Sequence, residues 1–286
     1  MNPTLTRRGA LGGLAAGLTL LASGRARALG NDDRVGIALL QYGSGFDQRP
    51  GAVEQLLWET TKRTSIDVRE KPVFLTPDSP DLFKFPLVVW LGDAAFPALD
   101  EAAVAQLGRY VRAGGCLFVD DASPPGVDGF DQSLRRELDR MLPGRALVRM
   151  SNDHTIYRSF FLLERPFGRT ARQSWLEGVE LDDRTGVIYG RNDLFGAFGR
   201  DAGGSWRNAV EPGGDEQREM AFRMGINLLM YATCLSYKRD QVHVTEILRR
   251  PSAATPSTTI ATVRPTRGLR SARPARSGSA RVSARA

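Results

Sequence analysis

The chain has 286 residues and a formal net charge of +7, from 39 lysines and arginines against 32 aspartates and glutamates. The excess sits at the two ends: Arg7, Arg8, Arg25 and Arg27 fall in residues 1–28, and Arg264, Arg267, Arg270, Arg273, Arg276, Arg281 and Arg285 in residues 252–286, with no acidic residue in either stretch. With these eleven set aside, 28 basic residues face 32 acidic ones, so the middle of the chain is mildly acidic, which excludes the basic footprint of a specific nucleic-acid-binding domain.

Thr6-Arg7-Arg8-Gly9-Ala10-Leu11 opens the chain, an apolar run follows over residues 10–23, and Ala26-Arg27-Ala28 offers a small-x-small cleavage site. This is the charged, apolar, small-residue order of a secretory signal. The run is shorter than the ~20 residues a membrane span needs, and Gly12, Gly13 and Gly17 dilute it. Paired arginines ahead of a weakly hydrophobic run resemble a twin-arginine signal, with Ala10 standing where that class usually has Phe. Residues 1–28 are expected to be a cleaved export signal, which makes the protein periplasmic or otherwise exported. An ordinary secretory signal or an uncleaved anchor is the competing reading.

Residues 34–42 (RVGIALLQY) form a nearly continuous apolar run, as in a strand buried on both faces. After a loop at 43–50, Val53, Leu56, Leu57 and Thr60 recur at helical spacing within residues 51–64. Residues 66–73 supply one short extended segment, and Leu82 and Phe83 are expected to pack beneath the turns at 77–80. Residues 87–91 (LVVWL) and 116–119 (CLFV) read as two more buried strands, ended by Gly92-Asp93 and Asp120-Asp121. Between them, residues 100–113 read as a helix capped by Asp100 and stopped by Gly114-Gly115. A helix over 131–142, a short strand over 146–150 and a hairpin over 175–189 with its turn at 182–186 follow. A long helix over 215–238 carries Met220, Met224, Ile226, Leu228, Leu229 and Tyr231 toward the core.

Residues 29–250 are therefore expected to form a single α/β domain: a largely parallel sheet with helices on both faces, a hairpin insertion and a long C-terminal helix. Residues 251–286 are Ser, Ala, Thr, Pro and Arg for the most part, bury too little to fold and are expected to be disordered. Cys116 and Cys234 could pair in an oxidising compartment; two separate, buried, unpaired thiols are the favoured reading.

The order of short motifs is more specific. Gln41-Tyr42-Gly43, Arg49-Pro50-Gly51, Leu57-Trp58-Glu59, Phe85-Pro86-Leu87, Gly114-Gly115-Cys116-Leu117-Phe118-Val119-Asp120-Asp121, Asp153-His154-Thr155-Ile156-Tyr157 and Arg223-Met224-Gly225-Ile226-Asn227 appear in that sequence. Over about residues 33–235 the chain resembles the bacterial domain-of-unknown-function family 4159. The resemblance implies a class I glutamine amidotransferase-like, flavodoxin-like α/β fold and no established reaction. Amidotransferases place a nucleophilic cysteine in the turn just after the strand that follows the Gly-Gly helix stop. Asp120, Asp121 and Ala122 hold that position here, and Cys116 starts the strand, at the wrong end for a nucleophile.

In a parallel α/β sheet, ligands bind outside the carboxyl ends of the strands. The ligand-binding candidates are accordingly Tyr42, Arg49, Asp93, Asp120, Asp121 and Asn192, the last as part of Asn192-Asp193. Adjacent strand residues point to opposite faces, so at most one of Asp120 and Asp121 aims at the rim centre, as ligand, base or simply a loop brace. Arg49 could clamp an anion or make a surface salt bridge. His154, in a polar loop after a strand, could join Asp120 or Asp93 in an acid–base or metal site, although no HExxH or close His pair exists and His243 lies beyond the core. Neither a metal nor a cofactor is expected. Three functions follow: a non-catalytic module binding a small ligand or an envelope partner; a hydrolase using Asp120 or Asp121 with His154; or an envelope-attachment protein whose basic tail makes weak contact with anionic surfaces.

Overall fold

The computed structural model describes residues 34–249 apart from 44 and 183, with the side chains of the last helix described as far as Cys234. Residues 1–28, expected to be an export signal, residues 251–286, expected to be disordered, and the His243 side chain lie outside the described residues. Seven strands, β1 (Ile37–Leu40), β2 (Val73–Leu75), β3 (Leu87–Gly92), β4 (Cys116–Asp121), β5 (Val148–Arg149), β6 (Glu177–Leu181) and β7 (Arg184–Gly190), form one sheet. Their order is β2-β1-β3-β4-β7-β6-β5. From β2 to β7 every neighbour is parallel; β6 runs antiparallel to β7, and β5 antiparallel to β6.

Among the described residues the α-helices are α1 (Ala52–Arg63), α2 (Glu101–Arg112), α3 (Gly129–Met141) and α4 (Gly214–Arg249). Alternation along β4 shows how the sheet divides the core. Cys116 and Phe118 belong to one apolar layer with Leu56 of α1 and Met224, Leu228 and Leu229 of α4. Leu117 and Val119 belong to the other, with Leu107 of α2 and Leu134 and Leu138 of α3. Both faces are thus covered, as a parallel sheet requires. The α1 stripe of Val53, Leu56, Leu57 and Thr60 is buried as the spacing predicts. Asp100 caps α2 by accepting from the Ala103 N–H at 2.7 Å, and Gly114 ends the chain reversal after it at φ 108°, a conformation that glycine adopts without a Cβ clash. Among the described residues, no helix is long and apolar enough to cross a membrane.

Several expectations need correction. The 175–189 hairpin is not an insertion: its second arm, β7, is the fifth parallel strand beside β4, and its arms end at Leu181 and resume at Arg184. The strand at 146–150 shrinks to two exposed residues at the sheet edge, where only β6 pairs with it. The extended segment at 66–73 pairs with β1 from Val73 onward, and Val68 makes only an isolated bridge to Val35. Leu82 is buried, but Phe83 is half exposed. Cys234 is exposed and Cys116 buried, both as free thiols; the helix there turns its apolar stripe inward at Tyr231 and Ala232, which leaves Cys234 outside it.

Candidate functional site

The chain leaves β1 for β2 on one side and returns to β3 on the other, so the strand order reverses between β1 and β3, the crevice where ligands sit in this class of sheet. Here that crevice is filled. The Tyr42 hydroxyl donates to Leu91 O at 2.9 Å, and its ring packs on Trp90 and Phe96 with centroids 5.3 and 5.2 Å away. Burial pushes the Tyr42 phenol up to about 12, so it stays protonated. Asp93 accepts from Gln48 Nε2 at 3.1 Å, and the Asp93 carbonyl accepts from the Ser123 hydroxyl.

The polar chemistry concentrates one strand further, beyond the carboxyl ends of β4 and β7. Asp120 and Asp121 point to opposite faces, as adjacent strand residues must. On the α1/α4 face, the Asp120 carboxylate accepts from the backbone N–H groups of Leu194 and Phe195 at 2.9 and 2.8 Å. It is buried, and burial, then the neighbouring Asp193, lift its carboxyl from the ordinary 3.8 to about 7. On the α2/α3 face, Asp121 accepts from the Tyr189 hydroxyl at 2.9 Å, from Arg191 Nε at 3.1 Å and from the Ser123 N–H at 2.8 Å, and Arg172 lies 3.8 Å away. One aspartate therefore secures the loop after β7 and the other the loop after β4.

Asp193, between these groups, is the hub. Arg49 grips it with two parallel bonds of 2.8 Å, Arg169 donates to it through Nε, and the Gly196 N–H donates at 3.1 Å. Its backbone lies in the left-handed region at φ 51°, a region that Asp tolerates better than most residues. A Cβ at Gly196 would stand 2.2 Å from the Asp193 carboxylate, so position 196 must be glycine for the hub to form. Arg49 is thus neither an anion clamp nor a surface pair; it is an internal tie between the loop before α1 and the loop after β7. Asn192 is also committed: its side chain accepts from the Gln173 N–H at 2.8 Å and donates to the Gln173 carbonyl at 2.7 Å.

A cavity of about 370 Å3 opens beside this network. Residues 121–125, following β4, form one wall; Arg169, Thr170, Ala171 and Arg172 form the other, and Asp193 closes the floor. The volume is in the range of small-molecule sites.

His154 is not part of this edge. Its Nδ1 accepts from the Ile156 N–H at 3.2 Å, and its Nε2 meets Thr185 Oγ1 at 3.1 Å. Since Nδ1 is an acceptor, the neutral ring carries its proton on Nε2 and donates it to Thr185, which leaves no basic nitrogen for general-base work. Burial lowers the His154 pKa, consistent with that neutral form. Thr185 lies near the amino end of β7, whereas Asp120 is level with Gly190 at its carboxyl end; at ~3.3 Å per residue the two sites stand on the order of 15 Å apart along the strand. The structure therefore does not bring His154 to Asp120, Asp121 or Asp93. His154 instead lines a second cavity, of about 530 Å3, with Arg158, Glu180, Tyr231 and Cys234.

Reasoning from sequence missed Arg169, Arg172, Arg191 and Asp128. Arg191 and Arg172 both reach Asp128, at 2.5 and 3.4 Å. The signal that could have found the first two is an Arg-rich Pro/Gly loop, Arg165-Pro166-Phe167-Gly168-Arg169-Thr170-Ala171-Arg172, in which basic residues recur with no acidic residue between them.

No curated protein matches the chain. A family model does, over residues 36–233, from the first strand to the buried part of the last helix. The chain belongs to the family described as Domain of unknown function (DUF4159).

Proposed function

We propose that this domain is an exported, non-catalytic binding module that takes a small ligand in the cavity beyond the carboxyl ends of β4 and β7, on an amidotransferase-like scaffold that lacks the nucleophile. The observation that carries the reading is the cavity itself: about 370 Å3, on the edge where open α/β sheets bind ligands, with charged walls fixed by the Asp121 and Asp193 networks. The turn after β4 offers Ala122 and Ser123 but no thiol. Cys116 is fully buried at the other end of the strand, and burial pushes its thiol up to about 12, far from the thiolate that a nucleophile needs. The hydrolase alternative loses its base, because His154 is both remote and protonated on the wrong nitrogen.

The test is a thermal-shift screen of the protein against small metabolites, repeated with Ala171→Trp. Ala171 is exposed and lines the cavity, so the indole fills the space without disturbing the core. A hit that stabilises the wild type and is lost in the variant supports the reading; hits that survive the substitution contradict it. Export is tested separately by replacing Arg7 and Arg8 with Lys: the precursor is expected to stay in the cytoplasm, and mature protein outside at the normal level would contradict the twin-arginine reading.

A further inference from the structure

Resting on that reading of the cavity, we infer that its ligand carries a small oxyanion, a carboxylate or a phosphate, bound by Arg169 and Arg172. The inference comes from counting donors and acceptors in the cavity walls. A carboxylate has about four acceptor sites. Asp193 has filled four of them, with Arg49 twice, Arg169 and Gly196. Asp121 has filled three, with the Ser123 N–H on Oδ1 and Tyr189 and Arg191 on Oδ2, and Arg172 Nη1 lies 3.8 Å from Oδ2. The wall carboxylates therefore have little left to offer a ligand.

The donors are in surplus. Arg169 spends only Nε, on Asp193, and both of its terminal nitrogens are without a hydrogen bond among the described residues. Arg172 spends Nη1 on the Ser123 carbonyl at 3.0 Å and reaches Asp128 through Nη2 only at 3.4 Å, which leaves Nε unused. A guanidinium has donors and no acceptor, so the complement of these groups must be an acceptor, and an anionic one makes the stronger, charge-assisted bonds. Counting Asp120, four guanidiniums (Arg49, Arg169, Arg172 and Arg191) already balance four carboxylates, so selectivity rests on the geometry of the unused N–H groups rather than on bulk charge. The burial that lifts the Asp120 pKa tilts the balance further toward accepting an anion.

The test uses the full chain, titrated with sodium phosphate, sodium acetate and glycerol at constant ionic strength, read by calorimetry and by thermal midpoint. One or both anions are expected to bind saturably while glycerol does not, and the stronger of the two identifies the headgroup. Ala171→Glu should weaken anion binding at least tenfold relative to Ala171→Gln, since both side chains have the same size and only one is charged. Arg281→Gln, in the basic terminal stretch, should change nothing. Anion binding equal in the Glu and Gln variants, or lost in Arg281→Gln, would overturn the inference, as would no binding of either anion to the folded protein. If instead a neutral compound binds and Ala171→Trp blocks it, the cavity reading stands and the oxyanion inference alone fails.

Discussion

At the amino end of β4, Cys116 is buried: the Tyr110 hydroxyl is shared among the carbonyls of Phe85, Pro86 and Cys116 at 3.0 to 3.2 Å, the Arg184 guanidinium donates to the carbonyls of Val111 and Gly115, and apolar residues pack around them. At the carboxyl end, Asp120 meets backbone N–H groups, and Asp121 the Arg191 side chain, from a loop 70 and more positions away. Each end adjoins a cavity, and the larger is at the amino edge. Size alone would choose the amino edge. Chemistry favours the other: there, buried carboxylates hold Arg49, Arg169 and Arg191 in a fixed frame, whereas, among the described residues, the amino-edge Arg158 pairs only with the exposed Asp153. At the amino edge the imidazole is spent on Thr185 and Ile156. The difference teaches that a binding edge is marked by what its polar groups have left over after the fold has used them.

The comparison can be broken hardest at Asp193. Asp193→Ala strands Arg49 and Arg169 beside a buried gap, and removing one partner of a buried pair typically costs about 3–5 kcal/mol. Urea denaturation should show that loss, whereas Thr185→Val at the amino edge should cost only about 1 kcal/mol, the net worth of an ordinary hydrogen bond. Equal losses would erase the contrast.

Asp120 sharpens the comparison through pH. Burial, and next Asp193, raise its folded-state pKa from 3.8 to about 7, so the folded chain holds this proton more tightly than the unfolded chain does. The resulting stabilisation is fully present below about pH 4 and is lost as pH rises to about 7. The stability of the wild type minus that of Asp120→Asn should therefore fall across this window, by on the order of a few kcal/mol. A difference that stays flat from pH 4 to 7 would contradict the assignment.

Smaller effects belong to the thiols. Cys116→Ala should cost on the order of 1 kcal/mol, and in the native protein a thiol reagent should label Cys234 and spare Cys116. Cys234→Ser should change stability by no more than about 0.5 kcal/mol. Rapid modification of Cys116 in the folded protein would revive a cysteine-based mechanism.

The parallel half of the sheet was legible because its strands announce themselves: 37–40, 87–91 and 116–119 are apolar runs that only a doubly covered sheet can bury, and Asp100 and Gly114 mark the helix between the last two. The edge strands were not, since Val148 and Arg149 are exposed and carry no hydrophobic signal. Asp120 and Asp121 were readable as rim residues from their place after an apolar strand. Their partners were not: Arg191, Leu194 and Phe195 become neighbours only because β7 lies beside β4, and no local pattern encodes that pairing. His154 misled for the converse reason, since the polar loop that suggested a site is the cap of a short turn whose ring nitrogens are consumed locally and by Thr185.

The most direct measurement is a crystal structure of the protein with the anion, or an anion-bearing ligand, that raises its thermal midpoint. The account predicts the oxyanion between Arg169 and Arg172, in the cavity closed by Asp193, with the Arg49–Asp193 pair intact. An anion seated at the amino edge beside Arg158 and Tyr231, with the carboxyl-edge cavity empty, would contradict it.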